Sequence, residues 1–179
     1  CTLGAEVILT GELTIVGSSQ DMGALKTMTA ATNKRHFKLN GAADILNLWH
    51  VKLTGMDITS DGGAIKLDEG GLLNLYYSEL SGNNAKYGGA IRASGQSATN
   101  RNVVMNSYGS IIKNNKATEI GGGIYLVRGF ANIFDTTIDN NAIDSSSYGY
   151  GGGLLVVDSD VTMTNTVISN NVIMDQGWA

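Results

Sequence analysis

A chain of 179 residues with 42% hydrophobic content suits one domain with a sizeable core, and disorder is excluded. Charged residues make up only 16%, against roughly 25% in an average globular protein, and the net charge of −4 leaves no electrostatic footprint for nucleic acid or anionic lipid. With 24 glycines and no proline, the turns must run on glycine and asparagine, while a single cysteine excludes both an internal disulfide and a Cys/His metal site.

The apolar runs, such as Val103 to Met105, are too short for a membrane-spanning helix, and no secretory signal is visible. The chain starts at Cys1 and stops at Ala179, which reads as a mature or cropped piece of something longer. Cys1 then has three open readings: a partner outside this stretch or in another chain, a free thiol, or a lipid-anchored terminus.

In chain order, Val7, Leu9, Leu13 and Ile15 alternate with polar or small neighbours, which is the strand period. Gly17-Ser18-Ser19 breaks it. Residues 21–35 fit two readings, a short helix capped by Asp21 with Ala24, Leu25 and Met28 on one side, or an irregular excursion containing Thr27-Met28-Thr29. Either would cap the end of the domain. Short strand signals resume at Phe37-Lys38-Leu39, Leu46-Asn47-Leu48, Val51-Lys52-Leu53 and Met56-Asp57-Ile58, with turns between them.

From Gly62 the chain repeats. Gly62-Gly63-Ala64-Ile65 returns as Gly88-Gly89-Ala90-Ile91, Gly121-Gly122-Gly123-Ile124 and Gly151-Gly152-Gly153-Leu154, at intervals of 26, 33 and 30 residues. Each signature is followed by an apolar-x-apolar strand and an aliphatic-x-x-Asn element, so a unit carries three strand signals and forms a three-faced coil. One coil cannot bury its own apolar face. Burial of a Leu or Ile is worth on the order of 1.5 to 3 kcal/mol, whereas ordering the backbone costs roughly 1 to 2 kcal/mol per residue, so coils must stack. We expect one solenoid domain over 1–179, with less regular coils over 1–61 and regular ones over 62–179.

Gly62, Gly63, Gly88, Gly89, Gly121, Gly122, Gly151 and Gly152 fall at corners, where the backbone needs positive φ or lies against the next coil. Asn83, Asn114, Asn141 and Asn171, each within an Asn-Asn pair, are expected to form a turn ladder with amides stacked along the rod. Insertions at Ser94 to Asn102 and Asp144 to Tyr150 mark longer corners, where solenoids place specificity. A fifth glycine pair falls due at Gly177-Trp178-Ala179.

Alternation of Gly-Gly-Ala-aliphatic with Leu80-Ser81-Gly82-Asn83, Ile138-Asp139-Asn140-Asn141 and Ile168-Ser169-Asn170-Asn171 resembles the repeats of chlamydial polymorphic outer-membrane proteins. Leu or Ile stands here where that family often has Phe. The resemblance covers Gly62 to Asn171 and implies an all-β, right-handed parallel β-helix of the pectin-lyase-like type. It further implies a secreted or surface-exposed module used in adhesion or extracellular assembly, whose partners are other subunits, further domains of the same chain or surface polysaccharide. The wider superfamily also contains polysaccharide lyases and hydrolases.

An enzyme of that kind needs converging carboxylates, commonly with a His. The histidines, His36 and His50, lie near the N-terminus, and Asp158 with Asp160 or Asp57 with Asp61 read as solvated surface charges. We therefore expect no catalysis, no cofactor and no metal. The residue after each glycine signature is Lys66, Arg92, Tyr125 or Leu155, which predicts an outward stripe that reads either as an ordinary solvated face or as a surface able to bind an acidic sugar or a partner. Trp49, Tyr76, Tyr77, Tyr148 and Tyr150 could stack on sugar rings or pack against a neighbouring chain.

Overall fold

The structure, a computed structural model, describes residues 1–17, 24–97, 99–145 and 149–175. Period-2 patterning becomes strands of two to six residues, all paired in parallel with the equivalent strand one coil away. The first sheet stacks Val7–Leu9, Phe37–Leu39, Ile65–Asp68, Ile91–Ser94, Ile124–Val127 and Leu154–Val157. The second stacks Glu12–Val16, Ile45–Trp49, Gly71–Tyr76, Val103–Tyr108, Gly129–Phe134 and Asp160–Thr164. The third stacks Thr2–Leu3, Lys26–Ala30, Val51–Thr54, Glu79–Ser81, Ile111–Lys113, Thr137–Asp139 and Val167–Ser169. These three sheets make the expected three-stranded coil of an all-β parallel solenoid.

A fourth sheet joins from the middle of the chain onward, built of Asn84–Tyr87, Lys116–Ile120, Ala142–Ser145 and Val172–Asp175. Each of these strands turns few side chains inward, among them Ala85, Ala117 and Ile143. That is too little apolar signal to read from sequence.

The core is a set of vertical stacks, because registers pair like positions. Phe37, Ile65, Ile91 and Ile124 lie over one another, as do Met28, Leu53, Leu80, Ile112 and Ile138. Adjacent members sit about 4.8 Å apart. The effect of a missing neighbour is visible in the last coil. Ile168 and Ile173 are 50% and 48% exposed, whereas their equivalents Ile138 and Ile143 one coil earlier are 0% exposed. Stacking, not the coil itself, buries the core.

Both readings for residues 21–35, a capping helix and an irregular excursion, are overturned over Lys26–Ala30, which is a strand between Thr2–Leu3 and Val51–Thr54. Pairing on both sides and the β-branched Thr27 and Thr29 outweigh the weak helical periodicity. Asp21, the expected cap, lies outside the described residues, as do Tyr148 and the 177–179 segment.

The two glycines of each signature have different tasks. The first, as at Gly88 (φ +61°) and Gly121 (φ +64°), takes the left-handed backbone that turns the corner. The second leaves room for the next coil: a Cβ at Gly89 would lie 2.2 Å from the Gly122 carbonyl oxygen, and one at Gly122 would lie 2.1 Å from that of Gly152.

The asparagine corner is also divided. Asn83, Asn115, Asn141 and Asn171 point inward, and the side-chain amides of the first three each donate to the next Oδ1 at 2.9–3.0 Å. The same Oδ1 atoms accept the backbone N–H of the preceding asparagine at 2.9–3.1 Å. The second amide hydrogen reaches a carbonyl in the preceding coil, Leu80 O from Asn115 and Ile112 O from Asn141, both at 2.9 Å. Asn114, Asn140 and Asn170 instead sit outside with φ of 54°, 49° and 51°. Asn114 is thus a turn residue outside the buried ladder, its Oδ1 accepting the Asn140 amide at 2.6 Å on the exposed side, and Gly82-Asn83 is the equivalent of Asn114-Asn115.

This division predicts different costs for neighbouring substitutions. Asn115→Ala should lose about 3 kcal/mol or more, since it strands several buried donors and acceptors at about 1–3 kcal/mol each; Asn114→Gly should stay within about 1 kcal/mol. Gly122→Ala should cost about 2–3 kcal/mol through the clash with the next coil. Urea unfolding of the three variants checks all of these.

Candidate functional site

The outward faces of the first sheet bring the predicted stripe together. Lys66, Arg92, Tyr125 and Leu155 stand in register on successive coils, and Lys38 extends the row by one. The stripe is not a row of free cations. Asp68, two residues beyond Lys66 and on the same side of the strand, accepts Lys66 Nζ at 2.7 Å and Arg92 Nη1 at 2.6 Å. Asp61 lies 3.9 Å from Arg92. Tyr125 meets the ring of Tyr87, with centroids 6.2 Å apart and a 45° tilt.

Where this sheet turns into the second, a polar cleft of about 580 Å³ opens beside the stripe. Lys38, Asn40, Glu69, Gln96 and Arg128 line it together with Asp68. The insertion that follows Ser94 forms one wall: Asn102 donates to the Glu69 carbonyl, and Asn100 donates to Gln96 Oε1 at 2.7 Å. Lys38 and Arg128 have no ion-pair partner among the described residues, and Arg128 Nε is buried without a hydrogen bond. Cleft and stripe together bring Lys38, Lys66, Arg92 and Arg128 beside Asp61, Asp68 and Glu69, with Lys66 and Arg92 tied to the carboxylates. Sequence reasoning found Lys66 and Arg92 and missed Lys38, Arg128 and the cleft, which is assembled from four coils.

The candidate carboxylates are dispersed. Asp158 sits at an exposed corner with φ of 48°, and Asp160 pairs with Arg101 at 3.1 Å. Asp57 bridges in parallel to Asn84 at the start of the fourth sheet, away from Asp61 and its contact with Arg92. Among the described residues no three His, Cys, Asp or Glu side chains gather as metal ligands, and no helix is long and apolar enough to cross a membrane. Glu79, on the outer face of the third sheet, is clamped by Lys52 at 2.9 Å and Lys113 at 3.2 Å. Burial pushes its carboxyl up, and the hydrogen bonds of Lys52, Ser81 and Lys113 outweigh that and hold it below the ordinary range.

The aromatic residues stack mainly on one another. Trp49, Tyr76, Tyr108 and Phe134 form a ladder with centroids 3.8, 5.3 and 5.4 Å apart and planes within 16° of parallel. His50 lies on Tyr77 at 5.4 Å. Within the ladder the ring faces are covered by neighbouring rings, so the edges face outward. His36 is fully buried, its Nε2–H donating to the Met28 carbonyl at 3.1 Å while Nδ1 has no partner.

Fold and surface together define a parallel β-solenoid with a polar cleft on one corner. Residues 109–126 match the Chlamydia polymorphic membrane protein repeat, spanning one asparagine corner, one glycine corner and the inward pair Ile124 and Leu126. The β-helix therefore carries repeats of that type. No curated protein and no solved structure matches the chain.

Burial lowers the pKa of His36 from 6.5 to about 4, so the folded state holds it neutral while the unfolded chain still takes up a proton. Stability is then fully present above pH 6.5 and is lost as pH falls from 6.5 to about 4, by up to about 3 kcal/mol. His36→Gln, which keeps a donor for the Met28 carbonyl, should flatten that limb in urea unfolding measured across this pH range.

Proposed function

We propose that the chain is a non-catalytic module of an extracellular or cell-surface β-helix protein, serving in adhesion or scaffolding, with an acidic surface polysaccharide as ligand of the cleft and stripe on the first sheet. The observation that carries this reading is the pairing of the repeat match at residues 109–126 with a cleft whose two cations without an ion-pair partner among the described residues, Lys38 and Arg128, lie at different levels of the rod. An extended polymer laid along the axis can meet both, and the amides of Asn40 and Gln96 offer hydrogen bonds between them.

The stripe supports this role in a passive way. Lys66 and Arg92, tied to Asp68, hold a fixed charge pattern beside the cleft and need no rearrangement on binding. The rival class, a polysaccharide lyase or hydrolase, requires an acid and a base converging on one bond, and Asp68 is already engaged by two cations.

Incubation with a polyuronide, with and without calcium, separates the two. We expect retention of the polymer, falling about tenfold or more in Lys38→Ala/Arg128→Ala, with no chain cleavage. Cleavage that is abolished by Lys66→Ala or Arg92→Ala would overturn the proposal.

A further inference from the structure

Charge along the cleft is uneven, and its order is set by which residue each coil places there. Lys38 comes first, on the strand Phe37–Leu39. One coil on, Glu69 follows Asp68 at the corner, exposed and with no ion-pair partner among the described residues. The next coil has Gly95 at the same corner, beside the neutral side chain of Gln96. Arg128 completes the series one coil further. Glu69, Gly95 and Arg128 are equivalent because each donates its backbone N–H to the last strand carbonyl of the following coil, that of Ser94, Val127 and Val157 in turn.

Lys38 and Arg128 therefore stand three coils apart, about 14 Å along the axis. The levels between them are not cationic, since Lys66 and Arg92 are opposed there by Asp61, Asp68 and Glu69. Asp68 engages both cations, Oδ2 with Lys66 and Oδ1 with Arg92. Glu69 is left with one long contact, from Gln96 Nε2 at 3.5 Å. Gly95 offers no side chain to cover it, and a Cβ there would lie 2.1 Å from the Arg128 carbonyl oxygen, so backbone packing fixes the gap between Glu69 and Arg128. An exposed carboxylate at mid-cleft accepts hydrogen bonds from hydroxyls and opposes a second carboxylate.

We propose that the cleft selects a sparsely charged acidic glycan, one whose acidic groups are separated by uncharged sugar residues, over a polymer with a carboxylate on every residue. This rests on the reading of the cleft as a site for acidic polysaccharide and specifies which class it takes. Acidic groups at the two ends meet Lys38 and Arg128, and the hydroxyls of an intervening neutral residue donate to Glu69. A fully carboxylated chain gains the same two ion pairs and also presents carboxylates to Glu69, which discriminates by repulsion. Asp158, one coil beyond Arg128 and outside the lining of the cleft, ends the cationic series on that side.

Calorimetric titration at low salt with three synthetic hexagalacturonates of one backbone tests this: fully charged, methyl-esterified at every second carboxyl, and esterified throughout. We expect the alternately esterified hexamer to bind about fivefold more tightly than the fully charged one, the scale of an interaction between exposed charges, and the neutral hexamer to bind least. Glu69→Gln should remove the preference by tightening the fully charged hexamer alone, and Glu69→Lys should reverse it. A fully charged hexamer that binds the native protein as tightly as the alternate one, or a preference that survives both substitutions, would overturn the proposal and leave the acidic-polysaccharide reading in place. A neutral hexamer that binds as well as both charged ones, or no binding of any, would overturn that reading and the proposal with it.

Discussion

Every coil of this rod must turn its corners without abandoning a buried backbone group, and that constraint governs the rest. The inward asparagines Asn83, Asn115, Asn141 and Asn171 meet it by replacing the strand ladder where the strands stop: each accepts one backbone N–H, the last three also accept an amide hydrogen, and each donates to a carbonyl of the coil before. A buried amide with all its bonds made costs little, and one with a bond missing costs much. The network therefore fixes register along the rod. On the opposite corner the paired glycines do the same by removing atoms instead of adding bonds, one taking positive φ and the other admitting the neighbouring backbone.

Once register is fixed, chemistry on the surface becomes periodic. Like positions stack, so a lysine at Lys66 is followed by Arg92 and a tyrosine at Tyr76 by Tyr108. Such stacking of like charges would be unfavourable alone, and the structure relieves it with carboxylates on the same face, Asp68 for the first sheet and Glu79 for the third. The four inner strands of the second sheet turn no charge outward, and their rows of amides and rings stabilise the rod through contacts between coils. The distinct surfaces of the rod follow from which residues each strand turns outward.

Much of this was legible before any coordinates, because a repeat announces its own period. The four glycine signatures, the inward aliphatic pairs and the outward stripe of Lys66, Arg92 and Tyr125 all occupy equivalent positions. What escaped reading has physical reasons. The strand at Lys26–Ala30 competes with a helical pattern that only pairing on both sides defeats. The fourth sheet carries too few inward side chains per coil to show as alternation, and the first Asn-Asn pair is shifted by one, so that Gly82-Asn83 matches Asn114-Asn115. The cleft could not be read because Lys38, Glu69, Gln96 and Arg128 belong to four different coils. Neutralisation of the stripe by Asp68 was accessible in principle, as Lys66-x-Asp68 places both on one side of a strand.

The account stands or falls on the buried amide ladder. The most direct measurement is hydrogen exchange of the asparagine side-chain amides by nuclear magnetic resonance in the native protein. If the ladder holds the coils in register, the side-chain amide protons of Asn83, Asn115 and Asn141 exchange only with global unfolding, orders of magnitude more slowly than those of Asn114 and Asn140 outside the same corner. Equal and rapid exchange of the two sets would contradict it.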